Sequence, residues 1–124
     1  MMSMMTRTIL VIEDEKTVSD LICCILQRSG YHTTTAANGA EAVLILQEMN
    51  DAIDLVIIDY NLPDISGSEM INRVESMAPN GRIIVTSGYL PEMLEGINSE
   101  RIHGFLQKPF NIAQVKNQVA SVFN

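Results

Sequence analysis

The chain has 124 residues, 47% of them hydrophobic, which suffices for one domain with one core but not for two. A formal net charge of −7 argues against direct nucleic-acid binding, which needs a basic face, but leaves a basic protein surface open as a partner. There is no apolar run of about 18 residues, so we expect no membrane span.

We assign no functional role to residues 1–7 or to the two cysteines. Residues 1–7 contain four of the eight methionines and are expected to be a flexible N-terminal end, with residues 8–124 forming the domain. Cys23 and Cys24 are adjacent in a helical pattern, have no other cysteine to pair with, and cannot form a zinc site with the two scattered histidines. We interpret them as small apolar residues in a reducing cytosol and expect a cytoplasmic protein.

Short apolar or threonine-rich runs alternate with segments of helical periodicity along the whole chain. In order, the predicted elements are strand Thr8–Ile12, helix Lys16–Ser29, strand Tyr31–Ala37, helix Ala40–Met49, strand Leu55–Ile58, helix Ser66–Met77, strand Arg82–Thr86, a short helix within Pro91–Ser99, strand Phe105–Gln107 and helix Ile112–Phe123.

Five strands that alternate with five helices predict an α/β fold with a parallel sheet and helices on both faces. The strand order does not follow from the pattern alone. The flavodoxin-like order 2-1-3-4-5 is the common one at this size, so we predict a doubly wound (βα)5 domain of that type.

Charged and polar residues follow the apolar strands where each strand ends. Glu13 and Asp14 follow the first strand, Asp59 the third, Thr86 closes the fourth, and Lys108 follows the fifth. Because ligands bind outside the carboxyl ends of strands in such sheets, three carboxylates, a hydroxyl and an ammonium could converge on one site.

This set of groups is typical of phosphoryl transfer. Three close carboxylates repel one another unless a cation is present, and hard oxygen ligands without His or Cys suit Mg²⁺. Asp59 would attack as the nucleophile. The metal and Lys108 would neutralise charge on the phosphoryl oxygens.

Four motifs in the right order give the chain a family resemblance. They are Glu13-Asp14 after Ile-Leu-Val-Ile, Asp59-x-x-x-Pro63-x-x-x-Gly67, Thr86-Ser87-Gly88, and Lys108-Pro109-Phe110. With them, the chain from Thr8 to Asn124 resembles a receiver domain of a two-component response regulator, in the CheY-like superfamily.

The resemblance implies a phosphorylation site and a metal site. Asp59 would be the phosphoacceptor. Mg²⁺ would be held by Asp14 directly, by Asp59, by Glu13 mostly through water, and by the backbone carbonyl of Asn61.

The resemblance also implies a switch. Thr86, rather than Ser87, would hydrogen-bond a phosphoryl oxygen, and Lys108 would pair with the phosphoryl group or with Asp59. The Lys108-Pro109 bond resembles one that is cis in the family, and Phe105 occupies the position of the aromatic switch residue.

The departures from the family pattern remove no catalytic group. Glu13 stands where the family often has a second Asp, Phe105 lacks a hydroxyl, and Gly88 offers no side chain to shield a phosphoryl group. We therefore expect a competent receiver, which phosphorylates itself and slowly dephosphorylates itself as a signalling domain rather than an enzyme.

The implied partners are a sensor histidine kinase or a histidine phosphotransfer protein as phosphoryl donor, and a downstream protein or output domain. The face made by the fourth predicted helix, the fifth strand and the fifth helix would carry the signal and could form a homodimer. The chain is either a stand-alone receiver or a piece of a hybrid kinase or larger regulator.

Two other functions are weighed against this one. A degenerate receiver used only for docking would not need all five site positions. A small flavodoxin-like enzyme is less well supported, because Glu13-Asp14-Glu15 would repel a flavin phosphate and Asn61 stands where a haloacid-dehalogenase-type phosphatase has a second Asp.

Overall fold

The five strands form one parallel sheet in the order β2-β1-β3-β4-β5. The structure is a computed structural model that describes residues 6–97 and 100–123. The elements are β1 (Thr8–Ile12), α1 (Lys16–Arg28), β2 (His32–Ala36), α2 (Gly39–Met49), β3 (Leu55–Asp59), α3 (Gly67–Met77), β4 (Arg82–Ser87), β5 (Ile102–Gln107) and α4 (Ile112–Phe123). The predicted flavodoxin-like fold and strand order are confirmed.

Helices cover both faces of the sheet, and each face has its own apolar core. Alternate residues of the central strands divide between them: Leu10 and Ile58 belong to the cluster under α2 and α3, while Val11 and Ile57 belong to the cluster under α1 and α4. A strand that is buried on both faces needs apolar residues at every position. This explains the unbroken apolar runs of β1 and β3.

The prediction of a helix within Pro91–Ser99 is wrong for the part of this segment that the structure describes. Residues 88–97 contain only a 3₁₀ turn, Pro91–Met93, and no α-helix, while Asn98 and Ser99 lie outside the described residues. Gly96 has a φ of +77°, which interrupts any helix at this point. The described chain therefore has four α-helices, not five.

Strand β5 begins at Ile102, three residues before its predicted start at Phe105. His103 therefore lies in the strand rather than in a preceding loop. Glycine and histidine do not favour a strand locally, but the Gln118 side chain of α4 packs closely against Gly104, and this part of β5 pairs with β4. Contact with the helix, rather than strand propensity, explains this part of β5.

The ends of the domain meet at the edge of the sheet opposite the strand carboxyl ends. The backbone N–H of His32 donates to the carbonyl of Arg7, and the Arg7 guanidinium lies 4.2 Å from the centre of the Phe123 ring. Residues 1–5 of the predicted flexible end lie outside the described residues. Within the described ranges no helix is long and apolar enough to cross a membrane.

Candidate functional site

The topology brings the predicted site residues to one edge of the sheet. Glu13 and Asp14 follow β1, Asp59 ends the neighbouring β3, and Thr86 lies directly opposite Asp59 on β4. Lys108 follows β5, on the other side of β4. Because β3 lies at the centre of the sheet, Asp59 is placed between the acidic residues of β1 and the lysine.

Three carboxylates form a compact cluster at this edge. Glu13, Asp14 and Asp59 each offer an oxygen, and these three atoms lie within 4.8 Å of one another. Glu13 and Asp59 are each only 3% exposed, whereas Asp14 is exposed. An all-oxygen donor set that opens to solvent on one side fits a hard divalent cation that keeps some of its water.

Lys108 bridges the two buried carboxylates. Its Nζ lies 2.9 Å from Oε1 of Glu13 and 3.4 Å from Oδ2 of Asp59. The first pair is close but not aligned as a hydrogen bond, which leaves Oε1 of Glu13 buried without a well-directed donor. Oε2 of the same carboxylate accepts from the N–H of Glu15 at 3.1 Å.

Burial and neighbouring charges raise the pKa values of two groups at the site. Burial raises the pKa of Glu13 to about 7, against the opposing effect of its interaction with Lys108. Burial by itself would lower the pKa of Lys108, but the close carboxylate of Glu13 and the charge of Asp59 outweigh it and raise that pKa. One ammonium thus does not compensate the acidic cluster, and a bound cation would favour the ionised form of Glu13.

The backbone around Lys108 is fixed by β4. Its N–H donates to the carbonyl of Ser87 at 2.7 Å, and the Lys108-Pro109 peptide bond is cis, which confirms that prediction.

The residues after Asp59 are held by backbone hydrogen bonds. The N–H of Asn61 donates to Oδ1 of Asp59 at 3.0 Å, and the N–H of Tyr60 donates to the carbonyl of Thr86 at 2.9 Å. Asn61 therefore lies at the acidic cluster, and the use of its carbonyl as a metal ligand stays a prediction.

The predicted switch residues lie on neighbouring strands. Thr86 is 1% exposed on β4, and Phe105 on β5 pairs with Val85, one position away. The Phe105 ring is half-buried against the core cluster under α2 and α3. The Ser87 hydroxyl accepts a hydrogen bond from the N–H of Tyr89 at 3.0 Å, and Thr86 is the residue of β4 that pairs with Asp59.

Two residues position the loop after β3 through contacts that the sequence did not predict. Asp64 accepts hydrogen bonds from the N–H groups of Gly39 and Ala40 at the start of α2, and the bond from Gly39 lowers the pKa of Asp64. Tyr60 reaches the opposite way and donates through its hydroxyl to the carbonyl of Glu95 at 2.7 Å. Both contacts join distant parts of the chain, so no local pattern could have revealed them.

Comparison with known proteins gives a consistent picture. Residues 9–120 match the family model described as the response regulator receiver domain. The chain is 31% identical over 113 residues to the sensor kinase CckA of Brucella abortus, covering 90% of this chain but 12% of that protein. It is 30% identical over 119 residues to the sporulation initiation phosphotransferase F of Bacillus subtilis, covering 94% of this chain and 93% of that protein.

A solved structure of similar fold is the CheX-CheY-BeF3-Mg complex from Borrelia burgdorferi, whose matching chain superimposes with a TM-score of 0.87 at 25% identity. The match covers 95% of this chain and 90% of that one. The chain thus spans nearly the whole length of the Bacillus subtilis protein but only about an eighth of the Brucella abortus kinase.

Proposed function

The chain belongs to the response regulator receiver domains, the phosphoacceptor domains of two-component signal transduction, and we propose that Asp59 is the residue that accepts the phosphoryl group. The donor would be a phosphohistidine on a sensor histidine kinase or a histidine phosphotransfer protein. A carboxylate oxygen of Asp59 would form the new bond to phosphorus while the phosphorus–nitrogen bond to histidine breaks, with its electron pair returning to the imidazole.

The observation that carries the proposal is the placement of the Asp59 carboxylate. It is buried at the end of the central strand, clustered with Glu13 and Asp14, and its Oδ2 lies 3.4 Å from the Lys108 ammonium. A nucleophile beside both a cluster that could hold a cation and a lysine ammonium is the arrangement that phosphoryl transfer requires.

The acidic cluster would hold Mg²⁺. Asp14 and Asp59 would bind it directly, Glu13 mostly through water, and Asn61 through its backbone carbonyl. When bound, the ion would neutralise charge on the phosphoryl oxygens. The donor chemistry supports this assignment, as does the relative from Borrelia burgdorferi, whose structure is described as a complex with BeF3 and Mg.

Thr86 and Phe105 would transmit the effect of phosphorylation to the surface of the domain. Thr86 would move toward the phosphoryl group to donate a hydrogen bond, and Phe105 would pack into the space that it leaves. The surface that reads this change would consist of β5, α4 and residues 88–97, where a downstream partner or a second copy could bind. In this view the domain is a signalling switch and not an enzyme that acts on other substrates.

Incubation with acetyl phosphate and Mg²⁺, followed by intact-protein mass spectrometry, tests the proposal. We expect a mass gain of one phosphoryl group in the wild-type protein and none in Asp59→Asn. Asp51→Asn, which changes an exposed aspartate in the 3₁₀ turn before β3, is the matched control and should keep the gain. A wild-type protein that never gains the group would favour the degenerate docking receiver instead.

A further inference from the structure

Tyr60 connects the phosphoacceptor to the irregular segment that replaces the predicted fourth helix. It follows Asp59 directly, and its N–H donates to the carbonyl of Thr86, which ties its backbone to β4 beside the site. Its hydroxyl donates to the carbonyl of Glu95 at 2.7 Å. One side chain thus spans from the site to residues 94–97.

The Tyr60 ring and the segment around Glu95 both rest on the first turn of α3. A Cβ at Gly67 would lie 2.3–2.5 Å from atoms of the Tyr60 ring, so the ring lies directly on this helix start. A Cβ at Gly96 would lie 2.9 Å from Cβ of Ser68, the next residue of α3. The two glycines therefore allow the ring and the segment to lie side by side on α3.

A second attachment holds the chain near the other end of α3. The guanidinium of Arg101 donates to the carbonyls of Glu75, Ala78 and Gly81, at 3.3, 3.2 and 3.1 Å. Three carbonyls at and beyond the end of α3 thus hold the residue just before β5. These three Arg101 contacts lie at the end of α3, whereas the Tyr60 contact begins one residue from Asp59.

We propose that the Tyr60 hydroxyl is a latch that holds residues 94–97 against α3 in the free protein and opens when Asp59 carries a phosphoryl group. This rests on the proposed function and adds to it a specific residue for the coupling. Tyr60 is a positioning residue here. A shift of Asp59 or of Thr86 tilts its backbone, and the hydroxyl at the far end of the side chain moves furthest. Arg101 remains attached and acts as the fixed end.

The latch has a thermodynamic consequence at the site itself. A contact that stabilises only the unloaded conformation must weaken the binding of any group that favours the loaded one, and the coupling is reciprocal. Removal of the hydroxyl should therefore strengthen the binding of a phosphoryl mimic. The loss of one neutral hydrogen bond corresponds to about a two- to tenfold change in affinity.

The test compares Tyr60→Phe with the wild-type protein in titrations with beryllofluoride at saturating Mg²⁺, followed by backbone NMR. Tyr31→Phe is the matched control, because it removes the same atom from a tyrosine directly before β2, the strand at the opposite edge of the sheet from β5. We expect about two- to tenfold tighter binding in Tyr60→Phe and unchanged binding in Tyr31→Phe. Amide hydrogen exchange of Leu94 to Ile97 should also be faster in free Tyr60→Phe.

The outcomes separate the latch from the function on which it rests. Equal or weaker beryllofluoride binding in Tyr60→Phe overturns the latch and leaves the phosphoacceptor assignment standing. Equal exchange of residues 94–97 in the free wild-type protein and variant also overturns it. If the wild-type protein and both variants all fail to bind beryllofluoride, the proposed function is overturned and the latch with it.

Discussion

The ammonium nitrogen of Lys108 lies 2.9 Å from Oε1 of Glu13, a residue that is only 3% exposed. The same ammonium is shared with Asp59, so a single cation faces two buried carboxylates. Burial raises the pKa of Glu13, and one ammonium does not neutralise the acidic cluster, so the free site favours a bound cation.

Glu13 should make the stability of the metal-free protein depend on pH. Because burial raises its pKa from 4.5 to about 7 on folding, its contribution is fully present below pH 4.5 and is lost as the pH rises through 7. Between pH 5 and pH 8.5 the free energy of unfolding should fall by roughly 2–3 kcal/mol from this group. Urea unfolding of the wild-type protein and of Glu13→Gln measures the difference.

The Gln variant keeps the shape of the side chain but cannot titrate. The stability of the wild-type protein relative to Glu13→Gln should therefore decrease over this pH range in the absence of divalent cations. A difference that stays constant with pH would contradict the raised pKa.

Magnesium should stabilise the domain, and more strongly at high pH. A ligand that binds only the native state stabilises it by RT ln(1 + [L]/Kd), and a cation must displace the proton from Glu13 when the pH is below about 7. Thermal melts in millimolar Mg²⁺ should show a rise in Tm at pH 8 that is smaller at pH 5.5. Asp14→Ala should lose the rise, whereas Asp51→Ala, remote from the cluster, should keep it. Identical melts of the wild-type protein and Asp14→Ala would remove the metal assignment.

The contact between Gly67 and Tyr60 should make position 67 intolerant of a side chain. A Cβ there would overlap the Tyr60 ring, so Gly67→Ala should lower the free energy of unfolding by about 1–3 kcal/mol. Gly88→Ala is the matched control: a Cβ at Gly88 has no neighbour within 4 Å, and the change should cost less than about 0.5 kcal/mol. Equal denaturation midpoints for the two variants would show that the ring does not lie on the helix.

The ring of Phe105 should already face the core before phosphorylation. It has no hydroxyl to bond to solvent, and exposing such a ring costs roughly 1.5–3 kcal/mol relative to full burial. The half-buried position agrees with this. We expect beryllofluoride to shift the ring resonances of Phe105 modestly and to change the β5 and α4 surface. A ring that is fully exposed in the free protein, or a surface that does not respond at saturation, would contradict the expected population shift.

The proximity of the site residues could be predicted from the sequence better than the path of the chain around them. Asp59 and Thr86 follow apolar runs, and a parallel sheet brings such strand ends to one edge, so their proximity follows from the sequence pattern. The burial of Glu13 could not be predicted, because it depends on which residues the fold places over that carboxylate.

The errors in the fold share one physical cause. Residues 88–97 and 102–104 have weak local preferences, and tertiary contacts decide their structure. Gly104 pairs with Ile84 of β4 and lies against Gln118 of α4. The Tyr60 hydroxyl bonds to the carbonyl of Glu95, and Gly96 lies close to Ser68 of α3. Contacts between residues far apart in the chain have no signature in local periodicity.

The phosphoacceptor assignment is tested most directly by mapping the modified residue. Borohydride reduces an aspartyl phosphate to homoserine, so reduction after treatment with acetyl phosphate and Mg²⁺, followed by peptide mass spectrometry, reads out the position. We expect homoserine at position 59 and at no other acidic residue. Homoserine at position 14, or a phosphorylated protein without any at position 59, would contradict it.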